Sequence, residues 1–505
     1  MMLNRILNMP FLVILMGIGA AAMYVPAIYA YVGDDLRIAR VFLYGGTLFL
    51  ILTAMIGLAS AAGSSTNLAR SHLLAMLGAF TVLPLMLAVP FYEGLRNTSF
   101  LNAYFEMISS LTTTGATLFE PERLPDSLHL WRALVGWMGG FLVWVTAIAV
   151  LAPLNLGGFE VTSVETTGNS QFSQITNVAN ASQRLSRYAG QLFPVYAGLT
   201  MVLWIGLLLA GDPTLVAVSH AMSTLSTSGI SPVGGLRSGE GSGVLGEAII
   251  FGFMFFAISR LMFSQDQQMR GLRQLRDDPE FRMGAFLVIV LPLLLFARHW
   301  IAAYDIDLET DLAAALRALW GAAFTVLSFL TTTGFESSDW ADARGWSGLQ
   351  SSGLILMGLA IIGGGVATTA GGVKLMRVFA LYKHGTRELE RLLHPSSVGG
   401  AGSQARHIRR FGAQISWIFF MLFSMSVAVV MLALSLTGLG FEDAMIFTIS
   451  ALSTTGPLAG VVAQDALSYP DLGSAAKLIL AATMVLGRLE TLAIIALLNP
   501  ALWRS

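Results

Sequence analysis

Thr112-Thr113-Thr114-Gly115-Ala116-Thr117 is a run of hydroxyls and one glycine set between an apolar helical segment, Ala103 to Leu111, and a longer apolar span, Leu128 to Leu154. Related runs recur as Leu225-Ser226-Thr227-Ser228-Gly229-Ile230, Leu330-Thr331-Thr332-Thr333-Gly334-Phe335 and Leu452-Ser453-Thr454-Thr455-Gly456-Pro457. The glycines stand 114, 105 and 122 residues apart, a spacing too even for chance and too long for a soluble solenoid. Each copy reads alike: a long apolar span, a short apolar helix, the Ser/Thr-Gly turn, then a second apolar span.

Length and composition place this pattern in a membrane. The chain has 505 residues, 55% hydrophobic and 12% charged, with a mean hydropathy of +0.70. In a bilayer, non-helical backbone is tolerated only where protein buries it or where it lines a watery path. Four turns of that kind need one common place, and a ring around an axis with carbonyl and hydroxyl oxygens facing inward supplies it. Such oxygen rings replace the hydration shell of a cation, and glycine keeps the lumen clear while taking backbone angles other residues resist. Short helices that end at the turns would also aim their negative dipole ends at the centre, favouring a cation over an anion.

The expected fold is therefore all-α and membrane-integral, with four pseudo-symmetric repeats of helix, re-entrant pore helix with filter loop, and helix around one central pore. Ten spans are expected, near 9–31, 39–61, 72–92, 128–152, 189–210, 243–263, 282–303, 348–382, 411–437 and 474–498. Residues 1–66 form an added N-terminal hairpin, followed by pore repeats at 67–155, 156–265, 266–395 and 396–505. A secretory signal peptide is the alternative reading of Met1 to Ala30, but that stretch is long enough to span a bilayer. Basic residues such as Arg70, Arg184, Arg187, Arg260, Arg270, Lys374, Arg377, Arg387 and Arg406 gather in the loops of one side, which is thus cytoplasmic. The opposite loops carry Glu120, Glu122, Asp126, Asp305, Asp307, Glu309, Asp311, Asp339 and Asp342. An acidic mouth would concentrate cations there; acids merely tolerated on the outer side would look the same.

Other chemistries find little footing. A net charge of -1 offers no nucleic-acid footprint, and the absence of cysteine excludes disulfides and thiolate sites. The seven histidines show no paired ligand spacing, and no Ser/His/Asp arrangement stands out, so no enzyme is expected.

The fourfold span, half-helix, Thr-x-Gly, span pattern resembles the superfamily of K+ transporters that includes TrkH, TrkG and KtrB. Phe105 to Thr117, then Trp131-Arg132 and Gly136-Trp137-Met138-Gly139-Gly140, look like its first pore loop and following helix. Gly363-Gly364-Gly365 with Ala370-Gly371-Gly372-Val373-Lys374 is similar to its Gly-rich break, and Leu486-Gly487-Arg488-Leu489-Glu490 to the motif of its last helix. The two extra N-terminal spans resemble TrkH rather than KtrB. The second and fourth turns are richer in hydroxyls than in many members. The resemblance implies K+ and Rb+ conduction, a bacterial inner-membrane location with both termini cytoplasmic, and a homodimer. It also implies a cytosolic TrkA-like regulatory subunit holding NAD(H) or ATP/ADP, since this chain has no nucleotide fingerprint. In related plant transporters a Ser in place of the first filter glycine goes with Na+ preference; all four positions here are Gly.

The expected K+-binding residues are Thr113, Thr114, Gly115, Thr227, Ser228, Gly229, Thr332, Thr333, Gly334, Thr454, Thr455 and Gly456, with no cofactor in the chain itself. Gly363 to Gly372 holds five Gly among its ten residues, too many for a stable helix. By resemblance this loop is a gate below the filter, made of Gly363, Gly364, Gly365, Thr368, Thr369, Gly371, Gly372 and Lys374; close helix packing through small residues is the alternative. Arg488 lies inside an apolar span, where a charge costs ~2.5–3.5 kcal/mol unless it meets water or a partner. By resemblance it enters the pore below the filter; a structural ion pair, with Glu490 among the candidates, is the other reading. The basic 374–412 loop follows from positive-inside bias alone, or marks the docking face. An alternating-access transporter is the rival function, although that design pairs two inverted halves.

Overall fold

A computed structural model describes residues 10–60, 68–152, 181–236, 241–259, 275–302, 312–349, 352–394, 412–462 and 467–489. The remaining residues, among them 1–9, 61–67, 153–180, 260–274, 303–311, 395–411 and 490 onward, lie outside them, and with them many of the basic and acidic positions named above.

The regular structure of the described residues is all helical. Helices α1 (Phe11–Ala22) and α2 (Tyr24–Val32) make one span interrupted at Met23, and α3 (Leu36–Ser60) packs beside it. There follow α4 (Leu68–Thr81) and α5 (Leu83–Leu95), the short α6 (Phe100–Leu111), then α7 (Asp126–Thr146), which runs on as a π turn to Leu151. Next come α8 (Ala181–Ala210), α9 (Thr214–Ser226), α10 (Gly243–Met254), α11 (Pro279–Ala302) and α12 (Leu312–Leu330). The chain continues through α13 (Trp340–Ser347), α14 (Ser352–Ile362), α15 (Leu375–Leu393), α16 (Ala413–Ser435), α17 (Phe441–Leu452), the single turn α18 (Leu458–Val462) and α19 (Ser474–Leu489).

Eight of these helices are long and apolar enough to cross a bilayer, or nine if α13 and α14, bent by 119°, count as one broken span. Ten spans were expected, and the difference is local. The described part of 243–263 is a shorter apolar helix that tightens to a 3-10 turn at Phe255–Ala257. The span expected at 348–382 ends as a helix at Ile362, and the backbone stays non-helical until Leu375, because the glycines at 363 to 365 and 371 to 372 forgo helix stability. The span expected at 474–498 is described only as Ser474–Leu489, its remainder lying outside the described residues, whereas α12 reaches membrane length although its C-terminus carries one of the turns.

Polarity is arranged as a bilayer demands. Leu48, Ile51, Met55, Leu209, Val429, Leu432 and Leu436 stand exposed on the long helices, the positions lipid would cover, whereas Thr112 to Thr114, Ser226 to Ser228, Thr331 to Thr333 and Ser453 to Thr455 are buried. The N-terminal hairpin packs on α5 and α7. Phe42 of α3, fully buried, meets the Trp131 ring edge-on at 5.5 Å, and Trp131 Nε1 donates to the Leu87 carbonyl at 3.2 Å.

Phe42→Ala should loosen this hairpin without touching the central turns. In a water-soluble core the change costs ~3–5 kcal/mol; here lipid tails are as apolar as the site, so mainly the packing part is lost. The expected outcome is a lower midpoint of thermal unfolding in detergent, with ion selectivity intact in reconstituted protein.

Candidate functional site

The helices α6, α9, α12 and α17 end in the same turn. In each, the third residue before the glycine closes the helix and the next takes a left-handed conformation: Thr113 (φ 54), Thr227 (φ 51), Thr332 (φ 57) and Thr454 (φ 54). The residue after that bonds back five positions, Thr114 N to Ser109 O at 2.8 Å, Ser228 N to Ser223 O at 3.0 Å, Thr333 N to Ser328 O at 2.9 Å and Thr455 N to Ser450 O at 2.8 Å. This is a Schellman end, which satisfies carbonyls that the helix leaves open. Glycine usually holds its left-handed position; a β-branched Thr there costs ~1–2 kcal/mol. A side-chain bridge recurs as well, between the hydroxyls of Thr112 and Thr114 (2.8 Å), Ser226 and Ser228 (3.0 Å), Thr331 and Thr333 (2.9 Å), and Ser453 and Thr455 (3.2 Å).

The turns meet one another in cyclic order. A Cβ on Gly115 would strike the Ser228 carbonyl, one on Gly229 the Thr333 carbonyl, one on Gly334 the Pro457 ring, and one on Gly456 the backbone of Ala116. The ring closes first to second, second to third, third to fourth and fourth to first. A Cβ has no room at Gly115, Gly229 and Gly456, and at Gly334 the Pro457 ring would have to give way. Gly115, Gly229 and Gly334 also have positive φ, whereas Gly456 does not.

Behind the ring, the residue six positions before the first hydroxyl braces the outgoing strand, and each copy does it differently. Glu106 Oε2 accepts from Leu118 N at 3.1 Å, while its Oε1 lies 2.6 Å from Arg132 Nε in a pair that is almost wholly buried. His220 Nε2 meets Ser231 Oγ at 2.9 Å. Thr325 Oγ1 accepts from Ser337 N at 3.3 Å, reinforced by the buried Glu247 carboxylate, which takes Ser337 Oγ, Ser338 N, Ser338 Oγ and Trp320 Nε1 at 2.7 to 3.0 Å. Phe447 instead stacks edge-on with Tyr469, whose hydroxyl donates to the Gly456 carbonyl at 3.0 Å. No pattern of residue types marks these bracing positions. The one signal in the sequence is Glu106, an acid inside an apolar helix. Asp339, next to the Glu247 brace, has its pKa raised, by burial first and then by the charges of Glu247 and Asp342, so its negative charge is lost as pH falls through that raised value.

The glycine-rich segment runs against the helix side of the ring. Gly371 N donates to Thr332 Oγ1 at 2.7 Å, Thr369 Oγ1 donates to the Leu225 carbonyl at 3.1 Å, and a Cβ on Gly371 would strike Ser453 O and Thr454 Oγ1. Three of the four turns thus touch it. Arg488, 6% exposed, donates from Nη2 to the Thr369 carbonyl at 2.6 Å. Lys374 donates to the Ala370 carbonyl and takes a left-handed φ of 86°, and Glu280 Oε1 accepts from Val366 N at 2.8 Å. The segment also bonds within itself from Thr368 Oγ1 to Gly365 O, and Gly365 N donates to Ala257 O. Gly363 and Gly372 adopt positive φ where they lie against each other. Gly364 packs tightly on Ala257. Among the described residues, the hydroxyls of Thr113 and Thr454 are buried with no hydrogen-bond partner in the protein.

Removing one side of the buried Glu106–Arg132 pair leaves the other charge uncompensated. Arg132→Met should cost ~3–5 kcal/mol, whereas Glu106→Gln keeps an acceptor for Leu118 N and should cost less. Thermal unfolding of the purified variants checks the order; equal losses would contradict it.

Known proteins share this architecture. A family profile described as TrkH, cation transport protein, matches residues 243–504. The chain is 31% identical over 436 residues to the Trk system potassium uptake protein TrkH of Salmonella typhimurium, covering 84% of each chain. It is 31% identical over 437 residues to the protein of that name from Halomonas elongata, covering 85% of this chain and 84% of the other. Over the full length of both chains it superposes with a TM-score of 0.81 and 26% identity on the crystal structure of the potassium transporter TrkH from Vibrio parahaemolyticus. The chain belongs to the TrkH family of cation transport proteins.

Proposed function

We propose that this chain is a K+ uptake transporter of the bacterial inner membrane that conducts through one pathway per chain, lined by four pseudo-symmetric repeats. The observation that carries the reading is the closed ring of like turns, with the partnerless Thr113 and Thr454 hydroxyls buried in it. Buried polar atoms are normally satisfied, and oxygens held by rigid backbone suit a dehydrated cation. The Trk relatives are named as potassium uptake proteins, which points to K+ as the cation.

The proposed filter is the set of oxygens from Thr113 to Gly115, Thr227 to Gly229, Thr332 to Gly334 and Thr454 to Gly456. Helix ends aimed at this point, and the bonded network of hydroxyls, add negative potential without a formal charge. A cation entering from the acidic side would exchange water for these oxygens. Below, the segment Gly363 to Lys374 blocks the way, and Arg488 holds it through Thr369. A guanidinium beside the path also repels a cation, so the same residue both latches the loop and raises the barrier. Release would require the bonds from Gly371 to Thr332 and from Arg488 to Thr369 to break together. In this reading a cytosolic TrkA-like subunit supplies that release using its own nucleotide, the functional unit is a homodimer, and both termini are cytoplasmic.

Radioactive Rb+ uptake into proteoliposomes holding the purified chain tests this. Uptake should follow the Rb+ gradient alone. Arg488→Ala should raise it by about tenfold, the effect of removing ~1.4 kcal/mol of barrier. Gly115→Ser places a side chain against the Ser228 carbonyl, so it should forfeit discrimination against Na+. Uptake that demands an opposing ion gradient, and that neither substitution alters, would reject the conducting pathway in favour of alternating access.

A further inference from the structure

The fourth turn differs from the other three in a way the pathway described above does not use. The Gly456 N–H donates to the Thr114 carbonyl of the first turn at 2.6 Å, and the Gly456 carbonyl accepts from the buried Tyr469 hydroxyl. Both groups of this residue are therefore engaged by protein. Its carbonyl keeps a second lone pair, but the Tyr469 bond fixes its direction and draws on its negative field.

Pro457 follows directly. Contacts around the ring run first to second, second to third, third to fourth and fourth to first, so the fourth turn faces the second across the axis. Pro457 nevertheless reaches it: Cγ lies 2.9 Å from where a Gly229 Cβ would stand, and Cγ and Cδ lie 3.0 and 3.1 Å from that of Gly334. The Pro457 ring therefore packs where the second, third and fourth turns converge. The left-handed threonines face the glycine-rich segment, as the Gly371 contacts with Thr332 and Thr454 require. Pro457, on the far side of the glycines, is thus at the outer end. Proline suits the place, being rigid and having no N–H to satisfy.

We propose that Pro457 is the outer sieve of the pathway, a specificity-determining residue that rejects cations by size, and that Tyr469 is a positioning residue that seats it through Gly456. The proposal rests on the reading of the ring as a K+ pathway. In it the fourth repeat contributes a steric limit where the others contribute left-handed glycines, so selection by size and selection by oxygen field are separable.

The test is relative permeability to K+, Rb+, Cs+ and methylammonium, measured on the full-length chain in proteoliposomes. Pro457→Ala removes the Cγ and Cδ that make the contacts, and should raise the Cs+ and methylammonium permeabilities several-fold relative to K+, with K+ flux retained. Tyr469→Phe, which loses one oxygen, should shift the same ratios in the same direction by less, and decides the matter alone if Pro457→Ala does not fold. Variants that carry K+ like wild type and keep its Cs+ and methylammonium ratios would overturn the sieve while leaving the pathway standing. Wild-type protein with no K+-selective flux would overturn the pathway and the sieve together.

Discussion

A helix that stops inside a membrane leaves carbonyls that neither water nor lipid can satisfy. This chain meets that constraint four times with one device, a Schellman end whose left-handed residue is threonine. The choice is unfavourable by ordinary backbone rules, since glycine would take the position without strain. Threonine adds what glycine lacks, a hydroxyl beside the opened helix end. Strain of this kind concentrates where surrounding structure holds a functional geometry in place. Here the surroundings are the other turns, because three of the glycines lean on the backbone of the next turn and Gly334 on the Pro457 ring. No turn could keep its shape if its neighbour moved away.

The ring is regular, and its supports are not. Behind four nearly identical turns stand a carboxylate–guanidinium pair, a histidine, a threonine backed by a second carboxylate, and a phenylalanine with a tyrosine. All these supports act on the strand that leaves the turn, so the geometry needed at the axis leaves wide freedom in the chemistry used to hold it. The irregularity extends to the inner side. The glycine-rich segment occurs once, in the third repeat, and from there contacts turns two, three and four. A single segment thus links three of the four turns, and its Thr369 carbonyl is tied to Arg488.

Much of this was legible in the residues. The repeated Ser/Thr-Gly runs specified the turns, and the cluster of five glycines specified a break in its span, because both depend on local backbone preferences. The cyclic contact order was legible only as an economy, a ring being the cheapest way to bury four irregular segments. The braces were hidden. Glu106, His220, Thr325 and Phe447 share a position and no chemistry, so no pattern of residue types connects them. Gly456 matches the other three glycines in sequence, yet it lacks their positive φ and donates to the Thr114 carbonyl, a difference the residue type does not carry. The length of α12 escaped for a related reason, since a helix that ends in the interior and one that crosses can be equally apolar.

The most direct measurement of the central claim is anomalous scattering from crystals of this protein grown in Tl+ or Rb+. If the ring is the cation pathway, the anomalous density forms a single column on the axis enclosed by the oxygens of Thr113, Thr227, Thr332 and Thr454 and the glycines beyond them, ending above Gly371. Ordered cations elsewhere, with the ring left empty, would contradict it.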